Sequence, residues 1–147
     1  MNENKEILFL CTGNSCRSQM AEGLTRHYWG EHFTISSAGI EKHGMNPLAI
    51  KAMQEINIDL SGHRSKTVNE LENPTPDYLI TVCGHANESC PVFEGTVKRL
   101  HAGFDDPPKL AAEATSEEEA MPHYRRVRDE IEAFVKQLPD KWLARAV

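Results

Sequence analysis

The sequence predicts an α/β fold, a single domain over residues 1–147 in which a four-stranded parallel sheet lies between helices in three layers. Three observations lead there. Short apolar runs alternate with segments of helical period along the whole chain, the pattern of strand–helix–strand units. The first run is apolar at successive positions rather than at every second one, as a strand buried on both faces requires. At 147 residues the chain is long enough for one buried core and too short for two.

The elements follow in order. Lys5 to Leu10 carries Ile7, Leu8, Phe9 and Leu10 in one run and ends at Cys11. After the polar stretch from Thr12 to Arg17, Met20, Leu24 and Tyr28 recur at helical spacing, and Gly30 is a stop signal. Phe33 to Ser37 reads as a second strand. Asn46 and Pro47 then supply an N-cap and a first helical residue for a helix bearing Ala49, Ile50, Met53 and Ile56. The run Asn73-Pro74-Thr75-Pro76 punctuates the chain before a third strand, Tyr78 to Val82, which ends at Cys83. Val97 to Ala102 is a shorter fourth strand, followed by Phe104 to Pro108. Pro122 is expected to open a long helix with Tyr124, Val127, Ile131, Phe134 and Leu138 on its inner face. Right-handed crossovers then place Cys11, Cys83 and the Asp105-Asp106 pair at the carboxyl ends of three strands, where α/β folds hold their ligands.

Composition narrows the function. A net charge of −6 and a pI near 5.6 lack the basic footprint of a nucleic-acid binder. The chain has no apolar run of membrane-spanning length and its start is too polar for a signal peptide, so a cytoplasmic protein is expected. In that reducing compartment Cys11, Cys16, Cys83 and Cys90 are free for redox chemistry instead of serving as static cross-links. The C-x4-C and C-x6-C spacings and scattered histidines fit no zinc site, so neither a metal nor a cofactor is expected.

The loop Cys11-Thr12-Gly13-Asn14-Ser15-Cys16-Arg17-Ser18 sets a thiol and a guanidinium at the ends of a turn between a strand and a helix N-terminus. Such a turn suits a tetrahedral oxyanion. Backbone N–H groups from Thr12 to Cys16 point inward, the helix dipole favours negative charge, and the planar fork of Arg17 can hold two oxygens. The same field favours a Cys11 thiolate, the attacking form. Gly13 and Asn14 admit the unusual backbone of a tight cradle. Cys16 is read as a packing residue of that turn.

The run from Leu10 through Gly23 resembles the thioredoxin-coupled arsenate reductases, which share their fold and anion loop with the low-molecular-weight protein tyrosine phosphatases. The likeness extends to Ser37-Ala38-Gly39-Ile40, His43-Gly44-Met45-Asn46-Pro47, Cys83 through Pro91, Gly103-Phe104-Asp105-Asp106-Pro107 and Arg126 through Ile131. It implies a low-molecular-weight phosphatase-like fold and a three-cysteine relay. Cys11 attacks arsenate, Cys83 attacks the adduct and releases arsenite, and Cys90 closes a disulfide with Cys83 that thioredoxin reduces. It also implies Asp106 as general acid, with Asp105 the competing candidate, Ser18 as a hydrogen-bond donor to the Cys11 thiolate, Asn14 as a brace for the loop, phosphate or sulfate as competing oxyanions, and a monomer. Some of these relatives hold potassium with positions resembling Asn14, Glu22 and Ser37 and a later acid. Here Lys66 stands at the acid's expected place, and its ammonium is expected to replace the ion.

Two further expectations come from the residues. If the seven-residue interval from Cys83 to Cys90 were helical throughout, its ends would lie about 10 Å apart, beyond disulfide reach, so that segment must rearrange on oxidation. Arg125, Arg126 and Arg128, interleaved with acids, are expected to form a solvated helix face. The competing readings are a low-molecular-weight phosphatase, against which Gln19, Pro108 and Lys109 stand where that family usually has proline and tyrosines, and an oxyanion sensor without turnover.

Overall fold

The computed structural model describes residues 5–72, 75–89, 93 and 96–147; Cys90 lies outside them. Four parallel strands, β1 (Lys5–Cys11), β2 (Phe33–Gly39), β3 (Tyr78–Thr81) and β4 (Lys98–His101), form one sheet in the order β2-β1-β3-β4. Ile7, Leu8, Phe9 and Leu10 of β1 are all at most 1% exposed, which is why that run needs no polar alternation. The chain leaves β1 toward β2 and returns to β3 on β1's other side. Cys11 and Cys83 therefore emerge next to each other at the point where the winding reverses.

Helices α1 (Arg17–Trp29), α2 (Pro47–Gln54), α3 (Gly84–Glu88), α4 (Pro107–Leu110) and α5 (Glu117–Lys136) connect and cover the strands. Asn46 caps α2, its Oδ1 accepting from the N–H groups of Leu48 and Ala49 at 2.9 and 3.3 Å, with Pro47 at the first helical position. Helix α1 departs from a simple amphipathic pattern. Ser18, Gln19, Glu22 and Thr25 are buried along with Met20 and Leu24, so polar groups under the loop need internal partners.

Two readings of the last long helix are corrected. It starts at Glu117, five residues before Pro122. Ser116 is its N-cap, accepting from Glu119 N at 3.2 Å, and Glu117, Glu118 and Glu119 lie in its first turn. Cap and dipole outweigh the one helical hydrogen bond that Pro122 forfeits. Nor are its arginines a uniformly solvated face. Arg128 is 8% exposed, and its Nη1 donates to Ala52 O and Glu55 Oε1 at 2.8 and 2.9 Å. Arg125 also grips Glu55, at 2.9 Å, so these two side chains dock α5 on the end of α2. Arg126 reaches the exposed partners Glu130 and Asp105.

Candidate active site

The turn after β1 is fixed by its backbone and by the residues behind it. Asn14 sits at φ 48°, a region asparagine tolerates better than most residues. Its side chain is fully buried and reaches backward: Nδ2 donates to Ser18 Oγ and Ser37 Oγ, both at 2.9 Å, while Oδ1 accepts from Lys66 N at 2.9 Å and Gln19 Nε2 at 3.0 Å. Gln19 also donates to the carbonyls of Asn14 and Arg64, and its Oε1 accepts from His63 Nδ1 at 3.0 Å. Glycine is required at two contacts. A Cβ on Gly39 would overlap Glu41 O and lie 2.8 Å from Asn14 N and Thr12 O, all backbone atoms; one on Gly13 would overlap the His43 ring.

In front of this turn is a cavity of about 370 Å³ lined by Cys11, Thr12, Gly13, Ser15, Cys16 and Arg17, with His43, Asn46, Asp106 and Pro108 at its other walls. Arg17 opens α1 and is largely enclosed. Its Nη1 donates to Phe104 O at 3.1 Å and Nη2 stands 3.8 Å from Asp106 Oδ1. Its Nε is buried with no partner among the described residues. A buried guanidinium N–H without an acceptor is costly, and here an oxyanion in the cavity would remove that cost. Asp105 and Asp106 are separated by the fold: Asp105 forms an exposed pair with Arg126 at 2.9 Å, whereas Asp106 faces the cavity at the N-cap of α4.

Cys11 and Cys83 meet at the floor of the site. The two sulfurs are close enough to influence each other's ionisation, and Cys83 Sγ contacts Thr12 Oγ1 at 3.2 Å and accepts from Ala86 N at 3.3 Å. The S–H of Cys11, then the Thr12 hydroxyl, the Ala86 N–H and Arg17, hold Cys83 below the ordinary thiol value against the effect of burial. Cys11, the donor of the pair and itself buried, is pushed up. With the two sulfurs this close, the charge of Cys83 opposes ionisation of Cys11, while Arg17 favours it. Cys16 is pushed up by burial and by the charge of Asp106, so it remains a protonated packing residue.

Other expected residues fall behind the cavity. Asn14 and Ser18 do not line it; Ser18 Oγ accepts from Asn14 Nδ2. Asn14, Ser37 and Glu22 do converge, Ser37 Oγ donating to Glu22 Oε1 at 2.5 Å. The cation bonded to Glu22 is Arg26, at 2.9 Å, and not Lys66. Lys66 is half-buried, and burial holds its ammonium below the ordinary value while Glu22 opposes that effect. The residues missed in the sequence are His43 and Asn46 as cavity walls and Thr12 as a partner of Cys83. For His43 the signal was present in the motif His43–Pro47, but only the turn itself shows that its ring rests on Gly13.

This arrangement of loop, guanidinium and carboxylate agrees with a family model described as low molecular weight phosphotyrosine protein phosphatase, which matches residues 6–146. The chain belongs to that family. Among curated relatives, the arsenate reductase of Halalkalibacterium halodurans is 52% identical over 90% of this chain and 93% of its own length, and that of Bacillus subtilis is 49% identical over 94% and 97%. Among solved structures, an arsenate reductase in its oxidized state superposes with a TM-score of 0.70 at 28% identity, covering 91% of this chain and 95% of that one. A low molecular weight protein tyrosine phosphatase from T. tengcongensis superposes at 0.71 with 22% identity, covering 94% and 99%, and so speaks to the fold alone.

Proposed function

We propose that this chain reduces arsenate to arsenite through Cys11, Cys83 and Cys90, and that thioredoxin restores it. The activity rests on relatives about half identical over nearly their full length. The observation that carries the mechanism is the second thiol, Cys83, beside the first and in contact with Thr12 of the loop that lines an oxyanion cavity. A phosphatase needs a single thiol there; a two-electron reduction needs a pair.

The steps balance. The Cys11 thiol and the arsenate monoanion condense with loss of one water, forming a sulfur–arsenic bond in place of one arsenic–oxygen bond and leaving a singly charged thiol ester of arsenate. Arg17 holds the equatorial oxygens and Asp106 protonates the departing one. The proton on Cys11 is the one the condensation must move, and Arg17 beside the sulfur favours the resulting thiolate. Cys83 thiolate then attacks Cys11 Sγ. The sulfur–arsenic bond breaks toward arsenic, which takes the electron pair and leaves as arsenite, and a Cys11–Cys83 disulfide remains. Cys90 attacks Cys83 Sγ and frees Cys11. Two thiols have been oxidised and arsenic reduced by two electrons. Thioredoxin supplies the next pair by thiol–disulfide exchange.

Helix α3 starts immediately after Cys83, and a helix continued to residue 90 would hold the two cysteines about 10 Å apart, so closing the disulfide is expected to open its first turn. Phosphate and sulfate are expected to compete for the cavity, and the protein is expected to act as a cytoplasmic monomer.

The test is NADPH oxidation by the reduced protein with arsenate, thioredoxin and thioredoxin reductase, beside Cys11→Ser, Cys83→Ser and Cys90→Ser. Turnover should vanish in all three. Hydrolysis of a phosphoester by wild type and Cys83→Ser, with no arsenate-driven oxidation of NADPH, would make the site a phosphatase.

A further inference from the structure

The buried threonine that precedes Cys83 has a role that the relay itself does not assign. Thr81 is the last residue of β3 and is 4% exposed. A hydroxyl there needs partners, because burying it bare costs free energy. Among the described residues it has two. His101, its register partner on β4, lies at 2.7 Å through Nδ1, and Asn87 Oδ1 accepts the hydroxyl proton at 3.4 Å. With its one proton directed at Asn87, Thr81 accepts from a His101 protonated on Nδ1.

Asn87 is not an arbitrary neighbour. Its backbone N–H donates to Cys83 O at 3.1 Å, the bond that closes the first turn of α3, and inside that turn Ala86 N donates to Cys83 Sγ at 3.3 Å. Cys83 is itself the N-cap residue. The helix has five residues and, apart from Ala86, an exposed surface, so little else on it holds that turn closed. Two strands and the helix are joined at a single hydroxyl.

We propose that Thr81, braced by His101, is a positioning residue that holds the first turn of α3 closed and thereby keeps the Cys83 thiolate aimed at Cys11 until the disulfide with Cys90 forms. The proposal rests on the relay reading above. Opening the turn breaks the Asn87 and Ala86 bonds to Cys83 together, and the Thr81–Asn87 contact goes with them, leaving Thr81 bonded to His101 alone. The contact therefore favours the dithiol over the disulfide.

The experiment equilibrates wild type, Thr81→Val, Thr81→Ser and Asn87→Ala with mixtures of reduced and oxidised dithiothreitol, the electron acceptor being the oxidised reagent. The Cys83–Cys90 disulfide is counted by alkylation and mass spectrometry, with amide exchange of residues 84–89 followed in the reduced proteins. Valine keeps the β-branched shape and removes the hydroxyl. The expected result is about a threefold shift toward the disulfide in Thr81→Val, the size of one weak neutral hydrogen bond, or ~14 mV more negative. Amides of α3 should exchange faster, and Thr81→Ser should restore both. Asn87→Ala should shift in the same direction as valine although alanine is the better helix former, and it serves should Thr81→Val fail to fold. A wild-type potential in both Thr81→Val and Asn87→Ala would overturn the proposal and leave the relay standing. Absence of any Cys83–Cys90 disulfide in wild type would remove the relay, and the proposal with it.

Discussion

Cys11 and Cys83 leave the ends of adjacent parallel strands, and each turn runs directly into a helix, yet the two turns are held in different ways. The first is fastened from behind and from the side. Four hydrogen bonds converge on the Asn14 side chain, Ser65 Oγ donates to Gly13 O at 3.0 Å, and the chain after β2 lies along the loop, with Ile40, Glu41 and His43 N–H groups on the carbonyls of Cys11, Thr12 and Gly13. The second turn rests on the Ala86 and Asn87 N–H groups, the Thr12 hydroxyl at Cys83 Sγ and one long contact to Thr81. An oxyanion cradle works when its donors are already aimed, so that no reorganisation is needed as charge develops. A thiol relay needs the opposite of its second cysteine, which must present its sulfur to two partners in succession.

The largest consequence is in thiol reactivity. Cys16 and Cys83 are similarly buried, at 5% and 3% exposed, so access alone predicts similar alkylation. Their ionisation differs in sign. Burial and Asp106 push Cys16 up, while Cys11, Thr12 and Ala86 hold Cys83 down. The thiolate fraction falls tenfold for each pH unit below a thiol's pKa. Cys83 should therefore react with iodoacetamide already at pH 6 with a nearly flat profile to pH 9, and Cys16 should stay unmodified across that range, a difference of orders of magnitude when peptides are quantified by mass spectrometry. Equal rates would erase the contrast between the turns.

The next effect is on stability. In Gly39→Ala the new methyl group meets only backbone, at Glu41 O, Asn14 N and Thr12 O, and neither β2 nor the anion loop can move without breaking the ties just described. A loss of about 3 kcal/mol is expected, the upper end for overpacking, or roughly 6–12 °C in melting temperature for a chain of this size. Sulfate, which stabilises whatever form binds it, should protect the variant less than wild type. An unchanged melting temperature would mean the loop can yield, and the first turn would then be no more rigid than the second.

How much of this was legible in the sequence follows the same division. β1 and the anion loop were readable because local signals coincide there: an apolar run, a glycine and an asparagine suited to unusual backbone, and an arginine at a helix start. The start of α5 was misread because proline is a louder signal than Ser116, although Ser116 and the three following glutamates carry the cap and dipole energy. Burial of Arg128 was invisible for a different reason. Its partner is the open C-terminal end of α2, at Ala52 O and Glu55, and only the packing angle of two distant helices brings that end within reach. The same holds for Thr12 on Cys83 and for Arg26, instead of Lys66, on Glu22: spacing along the chain shows which residues are near the site, and side-chain reach decides which of two neighbouring cations takes the carboxylate.

The smallest effect expected is also the one that separates the two turns most directly. Gly84 is the first residue of α3, and a Cβ there would meet no atom within 4 Å, whereas the same change at Gly39 runs into backbone. Alanine should stabilise the closed turn by about 0.5–1 kcal/mol through helix propensity and lost chain entropy. None of that gain is kept once the turn opens, so the reduced form is favoured about two- to fivefold and the Cys83–Cys90 potential rises by roughly 10–20 mV. Thr81→Val moves the same potential the other way, since it takes a bond from the closed turn. Opposite signs from two substitutions that do not touch either sulfur are what a turn poised between two conformations requires; a Gly84→Ala potential equal to or below that of wild type would mean that α3 stays closed in the oxidised protein.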